Sequence, residues 1–136
     1  MIVSNDLMKV RNEIKRLISK NEMVIVKAGD DLFNRKLFEN KDIDLVVGLE
    51  FGRRDRLKQR DSGLNEVLVK LAKKNGIKIG IDVGRIAGLD RLEKAKVLSR
   101  VRQNVKLCKR VGVEIVMWPE RVVEKRDFDG LIKVLG

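Results

Sequence analysis

The chain has 136 residues, enough for a single domain over residues 1–136. It has no His, no Tyr and one Cys, Cys108, which excludes Ser-His-Asp and Cys-His catalysis, His-based metal sites, an internal disulfide and a Cys-rich zinc site. The formal net charge of +11 favours a polyanionic partner, nucleic acid first and an anionic membrane surface second.

Three further features of the composition concern where the protein works. No apolar stretch approaches the length of a membrane span, and Asp6 interrupts the region where a signal peptide would begin its apolar run. The lone Cys108 lies among apolar residues at helical spacing and is expected to be a buried structural thiol. These features predict a cytoplasmic protein. The charged fraction of 38% and a Gln content of two fit a heat-adapted organism.

The first part of the chain alternates helical and strand patterns. It predicts a helix, a strand, a brief helix and a strand over residues 4–20, 23–27, 30–38 and 43–47. Ser4 or Asn5 is the expected N-cap of the first helix, and Asp30 or Asp31 that of the second.

A long loop, residues 48–60, separates this part from a second series of elements. The pattern there predicts a helix, a strand, a long helix, a strand and a final helix over residues 62–75, 77–81, 90–110, 113–117 and 127–135. Asp61 or Ser62 is the expected cap of the first of these helices, which Gly76 ends, and Gly112 ends the long helix.

One helix followed by four strand–helix units predicts an α/β fold with a parallel sheet and right-handed crossovers. Four strands are half the number in a closed βα (TIM-type) barrel. The pattern therefore leaves two possibilities, an open doubly wound sheet or an abbreviated barrel that another chain completes. In either case we expect two open sheet edges, because the first helix can cover a face but cannot pair with an edge strand.

Positive charge is concentrated in two places. The loop sequence RRDRLKQR supplies the candidate RNA-contacting residues Arg53, Arg54, Arg56, Lys58 and Arg60. The long helix adds Arg91, Lys94, Lys96, Arg100, Arg102, Lys106, Lys109 and Arg110. The alternative is an ordinary solvated surface. Phe51 and Trp118 are the aromatic candidates for stacking on a base, although packing is the expected role of each.

A different function class, a small enzyme, would use the polar residues at the strand ends. These residues are Lys27, Asp30, Glu50, Asp82 and Glu120. Two or three carboxylates can hold Mg²⁺, and a buried Lys can form a Schiff base. Against this, Asp30 fits a helix cap and Asp82 begins a turn. We therefore expect no catalytic residue and no metal or cofactor site in this chain.

Three segments together resemble ribonuclease P protein component 3, the thirty-kilodalton subunit of archaea and eukaryotes. The run RDSGLNEVLVKLAKKNGIKIGID, residues 60–82, is similar to the family's signature. The preceding residues 33–54 and the following residues 91–116 resemble the neighbouring segments, so the resemblance extends from about Met23 to the C-terminus. The matching residues are Arg35, Arg60, Asp61, Ser62, Gly63, Arg91, Arg100 and Arg102. The arginines among them are expected to contact RNA.

The resemblance implies a βα barrel without metal chemistry, acting in removal of the 5′ leader from precursor tRNA. It also implies that the RNA subunit of ribonuclease P uses Mg²⁺ for catalysis and that the component 3 protein pairs with a small protein of RRM-like fold. Two departures stand out: residues 55–59 look inserted, and Glu66 replaces a family histidine. A shortened barrel implies a homodimer or a hetero-oligomer. The alternatives are the small enzyme and an RNA-binding homo-oligomer outside ribonuclease P.

Overall fold

The computed structural model describes residues 1–54, 61–119 and 125–136, which contain six helices and four strands. The strands are β1 (Ile25–Lys27), β2 (Leu45–Val47), β3 (Lys78–Asp82) and β4 (Ile115–Trp118). The helices are α1 (Leu7–Ser19), α2 (Asp31–Phe38), α3 (Glu66–Asn75), α4 (Val83–Ala87), α5 (Arg91–Val111) and α6 (Lys125–Leu135). Within the described ranges, no helix combines the length and apolar content that crossing a membrane requires.

Every helix and strand predicted from the sequence is present, with ends shifted by a few residues. The short helix α4 was not predicted. It follows β3 directly, and the Asp82 carboxylate caps it by accepting a hydrogen bond from the Arg85 N–H at 3.0 Å. A five-residue helix is too short to show a 3.6-residue apolar period, so the pattern could not reveal it.

Two helix caps were assigned to the wrong residue. Asp6, not Ser4 or Asn5, caps α1 by accepting from the Met8 N–H at 2.9 Å. Asn65, not Asp61 or Ser62, caps α3 by accepting from the Leu68 N–H at 2.9 Å. In each case several adjacent residues have cap-forming side chains, and the first residue with helical dihedrals decides which of them is used.

Four other predicted helix ends are confirmed. Asp30 caps α2 through the Phe33 N–H, and Asp90 caps α5 through the Glu93 N–H. Gly76 and Gly112 follow α3 and α5 with φ of +68° and +91°. This left-handed conformation favours glycine and ends both helices.

The sheet is parallel throughout, with the strands in the order β1-β2-β3-β4. Each strand therefore lies beside the next one in the chain. A doubly wound sheet reverses direction at a switch point, whereas a βα barrel adds strands continuously in one direction. The order decides between the two predicted architectures: the fold is a partial TIM-type barrel.

The two edges of this sheet are not equivalent. Ile2 forms a parallel bridge with Val26, in which the Ile2 N–H donates to the Ile25 carbonyl at 2.7 Å and the Lys27 N–H donates to the Ile2 carbonyl at 2.9 Å. The prediction of two bare edges is therefore wrong on the β1 side. It considered only the first helix, whereas a residue preceding that helix reaches the edge.

Two apolar clusters form the core. The larger one includes Val26, Phe38 and Val46, and the smaller one packs α5 and α6 against Ile81. Cys108 is buried in the larger cluster, as the sequence predicts, and burial raises the pKa of its thiol to about 12. The thiol is therefore protonated at neutral pH and is unsuited to nucleophilic chemistry.

Candidate functional site

The carboxyl ends of the strands meet at one face of the sheet, where the functional loops of α/β proteins lie. The loop after β1 contributes Gly29, α2 contributes its first residue, Asp31, and the loop after β2 contributes Leu49 and Arg53. Asp61 approaches from the segment that precedes α3. Residues from separate loops thus converge on one arginine.

Arg53 is the centre of this convergence, and its side chain is only 4% exposed. Its Nε donates to the Leu49 carbonyl at 3.0 Å, and Nη2 donates to the Gly29 carbonyl at 2.6 Å. Nη1 donates to the Asp31 carboxylate at 2.6 Å and lies 3.8 Å from the Asp61 carboxylate. We call Arg53 with these four partners the Arg53 clamp. It joins the loop after β1 to both ends of the β2–α3 connection at the carboxyl end of the sheet.

Residues 61–63 are packed against this clamp. The Asp61 carboxylate accepts from the Gly63 N–H at 3.0 Å, and the carbonyl of buried Ser62 accepts from the Asn104 side-chain amide at 2.9 Å. Gly63 has φ of +81°, and a Cβ there would lie less than 3.0 Å from the Leu49 carbonyl oxygen. Residues 61–63 of the signature therefore have a structural role: they let the segment before α3 pack closely against the backbone at Leu49.

Arg100 also lies inside the protein and is 8% exposed. Its Nη2 donates to the Arg53 carbonyl at 3.2 Å, so α5 is tied to the clamp. The sequence contained a signal for this placement: Arg100, Asn104 and Cys108 follow one another at four-residue intervals on the buried face of α5.

These placements correct the expectation that Arg53 and Arg100 are solvent-exposed cations. Both guanidinium groups instead satisfy backbone carbonyls at the carboxyl face of the sheet, because loops that converge there leave acceptors without helical or strand partners. Contact of these two residues with RNA stays a prediction that the geometry does not favour.

The remaining predicted RNA contacts in the described residues are exposed: Arg35, Arg54, Arg91 and Arg102. Arg35 donates to the Glu39 carboxylate at 2.9 Å along α2, an exposed ion pair of little energetic consequence. Arg56, Lys58 and Arg60 lie outside the described residues, as does the apparent insertion 55–59, and their roles stay predictions.

The outer face of α5 carries the largest group of exposed cations. Arg110 pairs with Glu66, the residue at the family's histidine position, at 2.5 Å, and Lys96 pairs with Glu93 at 3.6 Å. Arg91, Arg102 and Lys106 are exposed and have no ion pair among the residues that the structure describes. These three cations form the outer α5 stripe.

The strand-end carboxylates do not assemble into a catalytic group. Asp30 and Asp82 each accept the hydrogen bond that caps a helix, and Glu120 lies outside the described residues. Across residues 1–54, 61–119 and 125–136, no three metal-ligating side chains converge on a point that could hold a metal ion. The described geometry therefore gives the small-enzyme alternative no support.

Glu50 is an unusual carboxylate because it is only 1% exposed. Its Oε1 accepts from the Asp82 N–H at 3.1 Å, which stabilises the charged form only in part. Burial dominates and raises the pKa of Glu50 from 4.5 to about 7. The carboxyl group is therefore partly protonated at neutral pH.

Replacing Glu50 by Gln should remove a pH-dependent loss of stability. Below pH 4.5 the Glu50 carboxyl is protonated in both the folded and the unfolded chain, so the substitution has little effect. Because the folded-state pKa is the higher one, the wild type loses stability relative to Glu50→Gln as the pH rises from 4.5 to about 7. The difference above pH 7 should reach about 3 kcal/mol.

Urea unfolding of both proteins between pH 4 and pH 9 measures this difference. Glu22→Gln, at an exposed position after α1, is the control and should follow the wild type. A difference between the wild type and Glu50→Gln that is the same at every pH would contradict the argument.

The predicted stacking residues are both half-buried. The Arg85 guanidinium lies over the Phe51 ring, 4.0 Å from its centre, and so covers one face of that ring. Trp118 is the last residue of β4. Sequence reasoning missed Arg85, since its position depends on α4.

Comparison with known proteins agrees with this fold. The family model for RNase P subunit p30 matches residues 1–135, so the match begins before Met23, where the sequence resemblance was expected to begin. A chain in the cryo-EM structure of archaeal ribonuclease P with mature tRNA superposes with a TM-score of 0.80 at 24% identity. That superposition covers 98% of this chain and 58% of the other, and it establishes a shared fold.

Curated relatives named ribonuclease P protein component 3 show similar agreement. The protein of Methanococcus vannielii is 27% identical over 116 residues, which cover 85% of this chain and 48% of the relative. The protein of Methanocaldococcus jannaschii is 28% identical over 109 residues, which cover 80% of this chain and 44% of the relative. The chain thus spans about half the length of these relatives. With the family match over almost its whole length, the chain belongs to the RNase P subunit p30 family.

Proposed function

We propose that this chain is a protein subunit of ribonuclease P that binds and supports the catalytic RNA during removal of the 5′ leader from precursor tRNA. The observation that carries the proposal is the family match over residues 1–135. The net charge of +11 supports it, because a subunit that holds a folded RNA must offset phosphate charge. The cytoplasm is the proposed location, as the lone buried thiol allows.

In this role the chain is an accessory subunit and not the catalyst. Its described strand-end carboxylates are occupied by helix caps or buried, so they are unsuited to activating water. The chain binds no cofactor of its own, and the RNA subunit uses the Mg²⁺ that the reaction needs. Precursor tRNA is then a partner of the assembled enzyme.

The outer α5 stripe (Arg91, Arg102 and Lys106) is the part of the described surface best suited to phosphate contact. Its three cations are exposed, lie along one helix and are not neutralised by described acidic residues. Arg54 and Arg35 add exposed charge elsewhere. Phosphate contacts of this kind position RNA without reading its sequence.

The β4 edge of the sheet is the proposed attachment point for another chain. In the described part of the protein no strand pairs with the outer side of β4, and all four of its residues are half-buried. Apolar edge strands invite pairing. The occupant is a second copy of this chain or the small RRM-like subunit, and either one would extend the abbreviated barrel.

Affinity purification from the native cell tests the proposed function. The tagged chain should enrich ribonuclease P RNA, together with a second copy or a small partner protein. Arg91→Gln/Arg102→Gln/Lys106→Gln should release the RNA at lower salt, with a salt-dependence slope smaller by about two to three. The control Lys9→Gln/Arg11→Gln/Lys15→Gln removes the same charge from exposed positions of α1 and should behave as the wild type.

Two results would overturn these assignments. The subunit assignment fails if ribonuclease P RNA is no more enriched than with an unrelated basic protein. The attachment at β4 fails if the purified chain sediments as a well-folded monomer at micromolar concentration and the affinity purification recovers no partner protein with it.

A further inference from the structure

A cleft of about 510 Å³ opens at the carboxyl ends of β1 and β2, on the opposite side of the sheet from the β4 edge. The loops after β1 and β2 line it with Gly29, Gly48 and Gly52, and Lys27 and Arg85 reach it from β1 and α4. This end of a parallel sheet is where α/β proteins place their ligands. The cleft is separate from the outer α5 stripe.

The charge of the cleft is mainly positive. Lys27 and Arg85 have no ion pair with any residue that the structure describes. Asp30 is the acidic residue in the lining, and its carboxylate already accepts the Phe33 N–H at 2.8 Å. Glu50 lies close by, and its raised pKa of about 7 leaves it only partly ionised at neutral pH. An anion entering the cleft therefore meets two cations and one carboxylate that is already hydrogen-bonded.

The geometry of the cleft suits a compact ligand with several acceptor oxygens. The Arg85 guanidinium is held over the Phe51 ring, so its donors are oriented before a ligand arrives. Gly48 and Gly52 have φ of +86° and +68°, and the space that a side chain would fill at each is open. A ligand can therefore approach the backbone here more closely than side chains would allow.

We propose that this cleft binds one phosphate group of the RNA backbone, with Arg85 and Lys27 as its two cationic contacts. Arg85 offers a planar fork that matches two phosphate oxygens, and Lys27 supplies a point charge. The source of the phosphate rests on the proposed function, since a subunit that binds RNA meets phosphodiesters. Asp30 opposes binding through its charge.

Titration of the full ¹⁵N-labelled chain with a uridine trinucleotide that has no terminal phosphate tests the proposal. The amide signals of Gly29, Gly48 and Gly52 should move together. Arg85→Gln and Lys27→Gln should each weaken binding about tenfold, as expected for loss of a hydrogen bond to a charged group. Asp30→Asn should strengthen binding about twofold, because it keeps the helix cap and removes the repelling charge.

The controls separate the cleft from general attraction to a basic protein. Lys15→Gln, exposed on α1, should bind the trinucleotide as the wild type does. Arg85→Lys should lose part of the affinity, because it keeps the charge without the fork. A trinucleotide with uncharged methylphosphonate linkages should not shift the three glycine signals.

Several outcomes would overturn the proposal. One is that the shifts are confined to α5 and unchanged in Arg85→Gln. Another is that inorganic phosphate moves the glycine signals whereas the trinucleotide does not, which assigns the cleft to free phosphate. The test uses no ribonuclease P RNA, so a failed affinity purification with a positive titration would reject the proposed function and keep the cleft.

Discussion

Replacing Arg53 by Ala should lower the free energy of unfolding by about 3 kcal/mol, because the buried guanidinium holds two backbone carbonyls that lose its hydrogen bonds. The substitution leaves the Leu49 carbonyl without the Arg53 donor, removes one of the two donors to the Gly29 carbonyl, and takes the cation away from Asp31 and Asp61. Each unsatisfied buried acceptor costs free energy, because water cannot replace the lost partner. The stability of Arg53→Lys should fall between that of the wild type and that of Arg53→Ala, since one ammonium group cannot donate in all the directions that the guanidinium does.

Urea unfolding measures this effect, and Arg54→Ala is the matched control. Arg54 is the next residue in the chain and is exposed, so its loss should change stability by less than about 0.5 kcal/mol. RNA affinity measured on the same proteins separates the two roles considered for Arg53. If Arg53→Ala binds RNA more weakly while its stability equals that of the wild type, the clamp has no structural role and Arg53 contacts phosphate.

Replacing Gly63 by Ala should destabilise the fold by about 4 kcal/mol, the sum of a strained backbone and an overpacked site. Its φ of +81° lies in the left-handed region, which a side chain disfavours. The new methyl group would also lie within 3.0 Å of the Leu49 carbonyl oxygen. That oxygen belongs to the backbone and is held by Arg53, so it cannot move away without disturbing the clamp.

Thermal unfolding tests this prediction, with Gly52→Ala as the control. Gly52 has a similar φ of +68°, but nothing lies within 4 Å of the place a Cβ would occupy. Gly52→Ala therefore shows the cost of the left-handed backbone alone and should lower the free energy of unfolding by about 1 kcal/mol. Gly63→Ala should lower Tm by about 10 °C or more. Equal losses for the two variants would show that the contact with Leu49 does not matter.

The architecture could be predicted because its signals are local. Apolar runs such as residues 43–47 mark strands, and Gly76 and Gly112 mark helix ends through their left-handed backbone. Alternation of these elements then required a parallel sheet. The strand order could not be predicted, because it depends on contacts between residues distant in sequence. In the structure it distinguishes a partial barrel from a doubly wound sheet.

The roles of the charged residues were harder to predict, because they depend on which backbone groups lack partners. In the sequence RRDRLKQR, nothing distinguishes Arg53 from Arg54, and both are expected to be solvent-exposed. Only the folded chain brings the Gly29 carbonyl, 24 positions away, within 2.6 Å of one of them. Arg85 was missed for a related reason: its partner Phe51 lies in the loop after β2, distant from α4 in the sequence. The burial of Arg100 could have been predicted, since its spacing to Asn104 and Cys108 places it on the buried face of α5.

Salt should act differently on the Arg53 clamp and on the outer α5 stripe. Dissolved ions screen charges that stand in water, such as Arg91 and Arg102, and reach a side chain that is 4% exposed far less. Raising the ionic strength therefore weakens attachment to a polyanion before it loosens the loops that hold the chain together. A subunit built in this way can be washed free of nucleic acid in concentrated salt, recovered in its folded form, and returned to its RNA by dilution.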